Sequence, residues 1–255
     1  MMRKGKIIVA SIMLLCVVCF AAGVGYFLLI NNHTAEPEDA QRIAAIIQVA
    51  GLGRAGEADT RTLNALYHRR VIARQVNLDS GTLLPKASPQ NTPHSSMSLS
   101  TERDPAQIHQ RCTIGDVYFI HKNNEIQQII LPIYGKGAKS MMYAFIALDP
   151  DGRTVKNLLY YQQNETPLLG ALVTDPDWLR QWTGKKLLND DAQPALKVVQ
   201  SGANPQDVYT VYGISGATIT STGVEKSVNF WMGEHGYGPF LERLAREKPL
   251  APVPK

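Results

Sequence analysis

The chain has 255 residues, 44% hydrophobic and 19% charged, with a formal net charge of +4. That length suits one compact domain plus an anchor, or at most two small domains. The charge is small and spread along the chain, with no basic block and no aromatic–basic interleaving, which excludes a nucleic-acid binder.

Residues 1–6 carry Arg3, Lys4 and Lys6, whereas residues 7–30 contain no charged side chain. At about 1.5 Å per helical residue that run reaches roughly 36 Å, enough for a hydrocarbon core of about 30 Å. A cleaved secretory signal would share the basic start, but its apolar region is shorter, and no clean small-x-small site lies before Asn31. A retained transmembrane helix is therefore the expectation. The basic residues before the span, against Glu36, Glu38 and Asp39 after it, place the N-terminus in the cytoplasm and the rest outside. In a bacterium that is a single pass through the inner membrane with a periplasmic domain. Cys16 and Cys19 share one face of the span, where packing is preferred over a metal role. Cys112 is the one cysteine after the span, so the ectodomain has no disulfide framework and its electron chemistry would need a bound cofactor.

Residues 31–115 read as helical and loop-rich. Ile43, Ile46, Ile47 and Ala50 fall at helical spacing over 38–52, as do Leu63, Leu66 and Tyr67 over 59–69. Residues 85–105, rich in Ser, Pro, Asn and Thr, read as a surface loop or insertion. From 116 the texture turns to strands, making 116–248 the expected core and 249–255 a tail. Residues 117–121 and 126–133 flank the turn Lys122-Asn123-Asn124-Glu125, and 141–148 and 155–161 flank Asp149-Pro150-Asp151-Gly152, giving two hairpins. A short helix over 175–182, strands over 196–200 and 208–212, a helix over 223–233 and a further turn or two over 240–246 follow. The expected fold class is α+β, with an antiparallel sheet and flanking helices behind the membrane span.

The densest chemistry lies at 213–223, where small and hydroxylated residues crowd a strand-to-helix junction. Thr222 and Glu225 fit a capping box, followed by the apolar stripe Val224, Val228 and Trp231. A helix start suits a phosphate, and Gly213 and Gly216 let backbone approach a ligand closely. The same residues also describe a capped helix after a tight turn, and spacing alone does not decide which hydroxyl, if any, is modified. The six histidines lack metal-ligand spacing, and no Ser/His/Asp arrangement stands out. Asp175/Asp177 and Asp190/Asp191 read as cap and turn residues.

Ser215-Gly216-Ala217-Thr218, then Ile219-Thr220-Ser221-Thr222-Gly223-Val224, Asn229-Phe230-Trp231-Met232-Gly233 and Gly236-Tyr237-Gly238-Pro239-Phe240, resembles a known family. It is that of the C subunits of bacterial sodium-translocating NADH:quinone reductases, related to flavoprotein subunits of ion-translocating ferredoxin:NAD oxidoreductases. Further segments match in order: Leu131-Pro132-Ile133-Tyr134-Gly135-Lys136-Gly137, Ser140 to Phe145, Glu165-Thr166-Pro167-x-Leu169-Gly170, Asp177-Trp178, Trp182 and Gly184-Lys185-Lys186-Leu187. The segments Met141-Met142-Tyr143-Ala144 and Asn229-Phe230-Trp231 favour the quinone reductase over the ferredoxin-linked complex.

The resemblance implies FMN esterified through its phosphate to Thr218 by a flavin transferase that uses FAD. Ser215, Gly216 and Ala217 complete the attachment motif. Glu165, Thr166, Leu169 and Gly170 would lie near the flavin ring, and Gly135, Lys136 and Gly137 would form another loop of the pocket. No catalytic residue and no metal is implied on this chain. The implied activity is electron relay within a multi-subunit membrane complex that couples NADH oxidation and ubiquinone reduction to sodium export. Three departures stand out: Tyr212 replaces the acidic residue three before Ser215, Leu168 replaces a glycine, and Ala138-Lys139 replaces larger apolar and aromatic residues. The first two keep open a rival reading, a non-redox assembly or sensor ectodomain that has lost its flavin.

Overall fold

A computed structural model of the chain describes residues 40–54, 56, 58–84, 95–201, 204 and 206–247. The expected span at 7–30, the basic residues 1–6, residues 85–94 of the Ser/Pro-rich stretch and the tail at 249–255 lie outside the described residues. Among the described residues no helix is long and apolar enough to cross a membrane. The chain divides into units Met1–Ile43 and Ala44–Lys255, and the sheet, the helices packed on it and the candidate site all belong to the second.

Helix α1 occupies residues 40–49 and α2 Thr60–Arg70, with Asp59 capping α2 by accepting the Thr62 amide at 2.7 Å. The strands are β1 Val71–Asn77, β2 Ser96–Ser98, β3 Gln110–Cys112, β4 Ile114–Lys122, β5 Glu125–Lys136, β6 Met141–Leu148 and β7 Val155–Gln162. Helix α3 (Pro176–Arg180), strands β8 (Lys197–Val199) and β9 (Thr210–Tyr212), and helices α4 (Thr218–Met232) and α5 (Gly238–Glu247) complete the chain. The main sheet runs β1-β4-β5-β6-β7 with every pairing antiparallel. Asn123 and Asn124 both adopt positive φ between β4 and β5, the backbone that a two-residue hairpin turn needs to match strand twist.

Both faces of this sheet are buried, which explains its near-continuous apolar runs. In β5, Ile129, Leu131 and Ile133 join the core that includes Val224, Val228 and Trp231 of α4, while Ile130 is buried on the opposite face by strand alternation. On Ile130's side, the Gln128 and Asn157 amides donate to the Ala50 and Val49 carbonyls at the end of α1, at 3.0 and 3.1 Å.

Four expectations are corrected. Strand β1 was not anticipated: it follows α2 without a break and carries Arg74 and Gln75, so its apolar signal is weak for an edge strand. Helix α4 begins at Thr218, not 223, and its N-cap is Ala217 rather than Thr222. Glu225 does not cap it; its carboxylate accepts the Val198 amide at 2.6 Å and ties α4 to β8. Strands β8 and β9 form a separate parallel pair outside the main sheet. Residues 51–56 also carry the spacing G-x-G-x-x-G, but they connect two helices and lack the strand–turn–helix context of a dinucleotide site.

Helix α4 lies unusually close to β5. A Cβ on Gly223 would fall 2.3 Å from the Lys136 carbonyl oxygen, and one on Gly135 would fall 2.5 Å from the Ser227 Cβ. Further along, the Trp231 indole N–H donates to the Tyr134 carbonyl at 2.7 Å. Gly223→Ala is therefore expected to push α4 off the sheet and cost about 2 kcal/mol, read as a lowered urea midpoint. An unchanged midpoint would show slack that this geometry denies.

Candidate functional site

Residues 213–221 form a tight loop that delivers Thr218 to the first position of a 15-residue helix. The Ala217 amide donates to the Ile214 carbonyl at 3.0 Å, the Ser221 amide to the Ala217 carbonyl at 2.9 Å, and the Ile214 amide to the Ser221 hydroxyl at 2.9 Å. Gly216, at φ +73°, turns the chain where an L side chain would be strained, and a Cβ there would meet the Leu169 side chain at 3.1 Å. Ser215, Gly216 and Thr218 are exposed while Ala217 is buried. An alanine N-cap offers the first-turn amides no side-chain acceptor, so the helix start keeps donors and a partial positive charge for an anion.

Several large apolar side chains are exposed on this loop, just before it, and on the 168–169 segment that meets it at Gly216. Ile219 is 70% exposed, Leu168 84%, Leu169 41% and Tyr212 40%. Large apolar groups held in water this way mark a contact surface. Tyr212 is fixed from behind: the Trp178 indole N–H donates to its carbonyl at 2.9 Å, and its amide donates to the Gln181 side chain at 3.0 Å.

Beneath the loop lies Glu165, only 4% exposed. One carboxylate oxygen accepts the Lys139 amide at 2.9 Å, the Ser140 amide at 2.8 Å and the Ser140 hydroxyl at 3.2 Å. The other accepts the Ala138 amide at 3.0 Å and the Thr220 hydroxyl at 2.7 Å. Burial alone would raise this carboxyl. Donation from Thr220 and from the Ser140, Lys139 and Ala138 amides outweighs it and holds the group below the usual carboxylate range.

The structure thus brings Glu165, Gly170 and the 215–218 loop together, in distinct roles. Glu165 spends its carboxylate on the protein, and Gly170 abuts it, since a Cβ there would fall 2.5 Å from the Thr220 hydroxyl. Gly137 abuts the same carboxylate, with a Cβ 2.7 Å from its Oε1. Thr166 is exposed, and its carbonyl accepts the Leu169 and Ala171 amides. Gly135 and Lys136 end strand β5 rather than forming a loop: Gly135 packs against α4, and the Lys136 ammonium donates to the Lys139 carbonyl at 3.1 Å. Sequence reasoning did not single out Thr220, Ser221 or the 138–140 amides as partners of the site; two adjacent hydroxyls inside a helix start were the available signal. Two surface cavities, of about 340 and 500 Å³, lie at the other end of α4 around Gly233 and Glu234, away from Thr218.

The class comes from comparison with known families: residues 137–233, which contain Glu165 and the 213–221 loop, match the family described as FMN-binding domain. The C subunit of the Na(+)-translocating NADH-quinone reductase of Yersinia pestis is 37% identical over 242 residues, covering 91% of this chain and 90% of that one. The protein of the same name from Vibrio alginolyticus is 40% identical over 206 residues, covering 78% and 79%. Among solved structures, Shewanella oneidensis NqrC superposes with a TM-score of 0.71 at 29% identity, covering 82% of this chain and 97% of that chain. The chain belongs to the NqrC family, the C subunits of Na(+)-translocating NADH-quinone reductases.

Two outcomes follow from the site's energetics. Because the folded Glu165 carboxyl titrates below its ordinary value of 4.5, its stabilisation is present above that value and is lost as pH falls through the lowered one. Stability of the wild type should then fall more steeply below pH 4.5 than that of Glu165→Gln. At neutral pH that variant should already be about 1–3 kcal/mol less stable, because an amide cannot satisfy the converging donors. Parallel acid-unfolding curves would refute this role. Separately, Leu168 sits at φ +60° with its side chain in water. Leu168→Gly relieves that backbone, and after the entropy of an extra glycine should stabilise by about 0.5 kcal/mol in urea titration.

Proposed function

We propose that this chain is the electron-relaying subunit of a membrane-bound, sodium-translocating NADH:ubiquinone oxidoreductase, carrying FMN joined to Thr218 by a phosphoester. The observation that supports this best is the exposed Thr218 hydroxyl at the first position of α4, beside glycine backbone and an apolar shelf. These residues fit a phosphate-bearing aromatic ring. The first-turn amides suit its phosphate, Gly216 leaves room for backbone approach, and Leu169, Ile219 and Tyr212 offer apolar surface to a flat ring.

Bound there, FMN supplies the redox chemistry, which no side chain of this site has. The protein's part is positional. Thr218 gives the tethering oxygen, and Ala217 leaves the helix amides uncapped. Ser215 and Gly216 shape the turn, and Thr166, Leu169 and Gly170 hold the neighbouring loop. Glu165 and Gly137 fix the floor on which both loops rest, with Gly135 and Lys136 seating that floor against α4. Residues 7–30 anchor the chain in the inner membrane with residues 1–6 in the cytoplasm, so a periplasmic domain has no surrounding flavin pool. A covalent link there prevents loss of the cofactor and makes its local concentration intramolecular. NADH and quinone bind to other subunits of the complex.

Co-expression with a flavin transferase, followed by a denaturing gel under ultraviolet light, tests the assignment. The wild-type band should fluoresce and Thr218→Ala should be dark. A dark wild-type band would favour the non-redox ectodomain, and an equally bright Thr218→Ala band would move the attachment to another hydroxyl.

A further inference from the structure

Hydroxyls crowd the start of α4 at Thr218, Thr220, Ser221 and Thr222, yet the structure sorts them. Thr218 and Thr222 are exposed, whereas Thr220 and Ser221 are 1% and 0% exposed. Ser221 closes its own loop by accepting the Ile214 amide at 2.9 Å. Thr220 reaches out of the loop: its hydroxyl donates to Glu165 Oε2 at 2.7 Å, and the same carboxylate gathers the amides of Ala138, Lys139 and Ser140. One chain of hydrogen bonds therefore joins the turn that carries Thr218 to a loop some 80 positions earlier in sequence.

We propose that Thr220 and Glu165 form a positioning pair that registers the Thr218 hydroxyl for flavin transfer. The proposal rests on Thr218 being the attachment residue. Thr218 opens a helix whose N-cap has no side-chain acceptor, and first turns are the part of a helix that frays. Within that turn, Thr220 makes a side-chain bond to a distant, buried group, two residues from the reacting oxygen. In the transfer, Thr218 Oγ1 forms a bond to the flavin-side phosphorus of FAD. The phosphoanhydride bond breaks, AMP leaves, and the hydroxyl proton passes to solvent; nothing is oxidised or reduced. Such a displacement needs reacting atoms about 3–3.5 Å apart, and a misplacement of about 1 Å costs on the order of 100-fold. The tight fit of Gly170, where a Cβ would lie 2.5 Å from the Thr220 hydroxyl and 2.8 Å from Glu165 Oε2, shows how little freedom the pair has.

The test uses the full-length apoprotein in detergent, made without a transferase, as acceptor for purified flavin transferase and FAD. Flavin fluorescence in denaturing gels gives kcat and KM for the acceptor, expressed per folded molecule by circular dichroism. Thr220→Val keeps the shape and removes the donor; its kcat should fall at least tenfold with KM near that of the wild type. Thr220→Ser should return kcat to within about threefold of wild type. A wild-type kcat for Thr220→Val overturns the proposal, as does Thr220→Ser no better than Thr220→Val. Should Thr220→Val not fold, Ser140→Ala removes one donor from the far side of Glu165 and leaves Thr220 intact. At least a threefold fall in its kcat at constant KM is then expected, and an unchanged kcat overturns the proposal. A dark wild type, or a bright Thr218→Ala, instead sinks the attachment assignment itself. A bright wild type and dark Thr218→Ala beside an unaffected Thr220→Val sinks only the positioning pair.

Discussion

A buried carboxylate, Glu165, is the constraint on which the site depends. Removing such a charge from water costs several kcal/mol, and here the cost is offset by amide and hydroxyl donors from two separate segments. Hydrogen bonds to a charged acceptor contribute about 1.5–3 kcal/mol each, so together they outweigh burial. Donors from the 138–140 loop and from the first turn of α4 converge on this one carboxylate, which couples the positions of the two segments. The glycines at 137 and 170 belong to the same constraint, because a side chain at either would occupy the space the carboxylate needs.

The second layer of order comes from how α4 meets the sheet. Gly223 and Gly135 let helix and strand backbones close to a distance at which the Lys136 carbonyl takes the place of a side chain. At its far end the Trp231–Tyr134 hydrogen bond pins the helix. Trp178 and Gln181 hold the backbone of Tyr212, the residue that leads into the 213–221 loop. Thr218 is thus exposed on a turn whose supports are buried. This combination suits a modification site: an accessible nucleophile needs a fixed frame, and a frame made of surface contacts would be screened and mobile.

Much of this was legible from the sequence, for identifiable reasons. The hairpins at Asn123-Asn124 and Asp149 to Gly152 follow from turn chemistry, and α2 follows from the helical spacing of Leu63, Leu66 and Tyr67. The start of α4 was misplaced because Thr222 and Glu225 satisfy a local capping rule, while the real start at Ala217–Thr218 has no capping signal at all. Its register is set instead by Ser221 and Thr220 reaching Ile214 and Glu165, and the second of these links spans 55 residues. Strand β1 escaped for a related reason: an edge strand with Arg74 and Gln75 is defined by its partner β4, not by its own alternation. In the site, the residue types around Thr218 were readable, but the inward turn of Glu165 was not, since a glutamate before Thr-Pro gives no local sign of burial.

An open shelf is the setting in which the proposed bond to Thr218 would matter most. Covering exposed Leu168, Leu169, Ile219 and Tyr212 returns about 25 cal/mol for each Å² of apolar surface removed from water. A helix start adds about 0.3–1 kcal/mol for an anion. Association in water forfeits about 4–15 kcal/mol of translational and rotational freedom. A few exposed apolar side chains and one helix start offer little beyond that cost, so an untethered ring on this surface would bind weakly. Deepening the shelf would raise that affinity, but it would also wall a ring off from any electron partner approaching across this surface. The proposed bond at Thr218 would remove the association cost once and leave the ring face accessible. On this account the departures at Leu168 and Tyr212 are tolerable. Both are exposed side chains, and a ring bonded as proposed would need surface to rest against rather than a closed cavity to be recognised by.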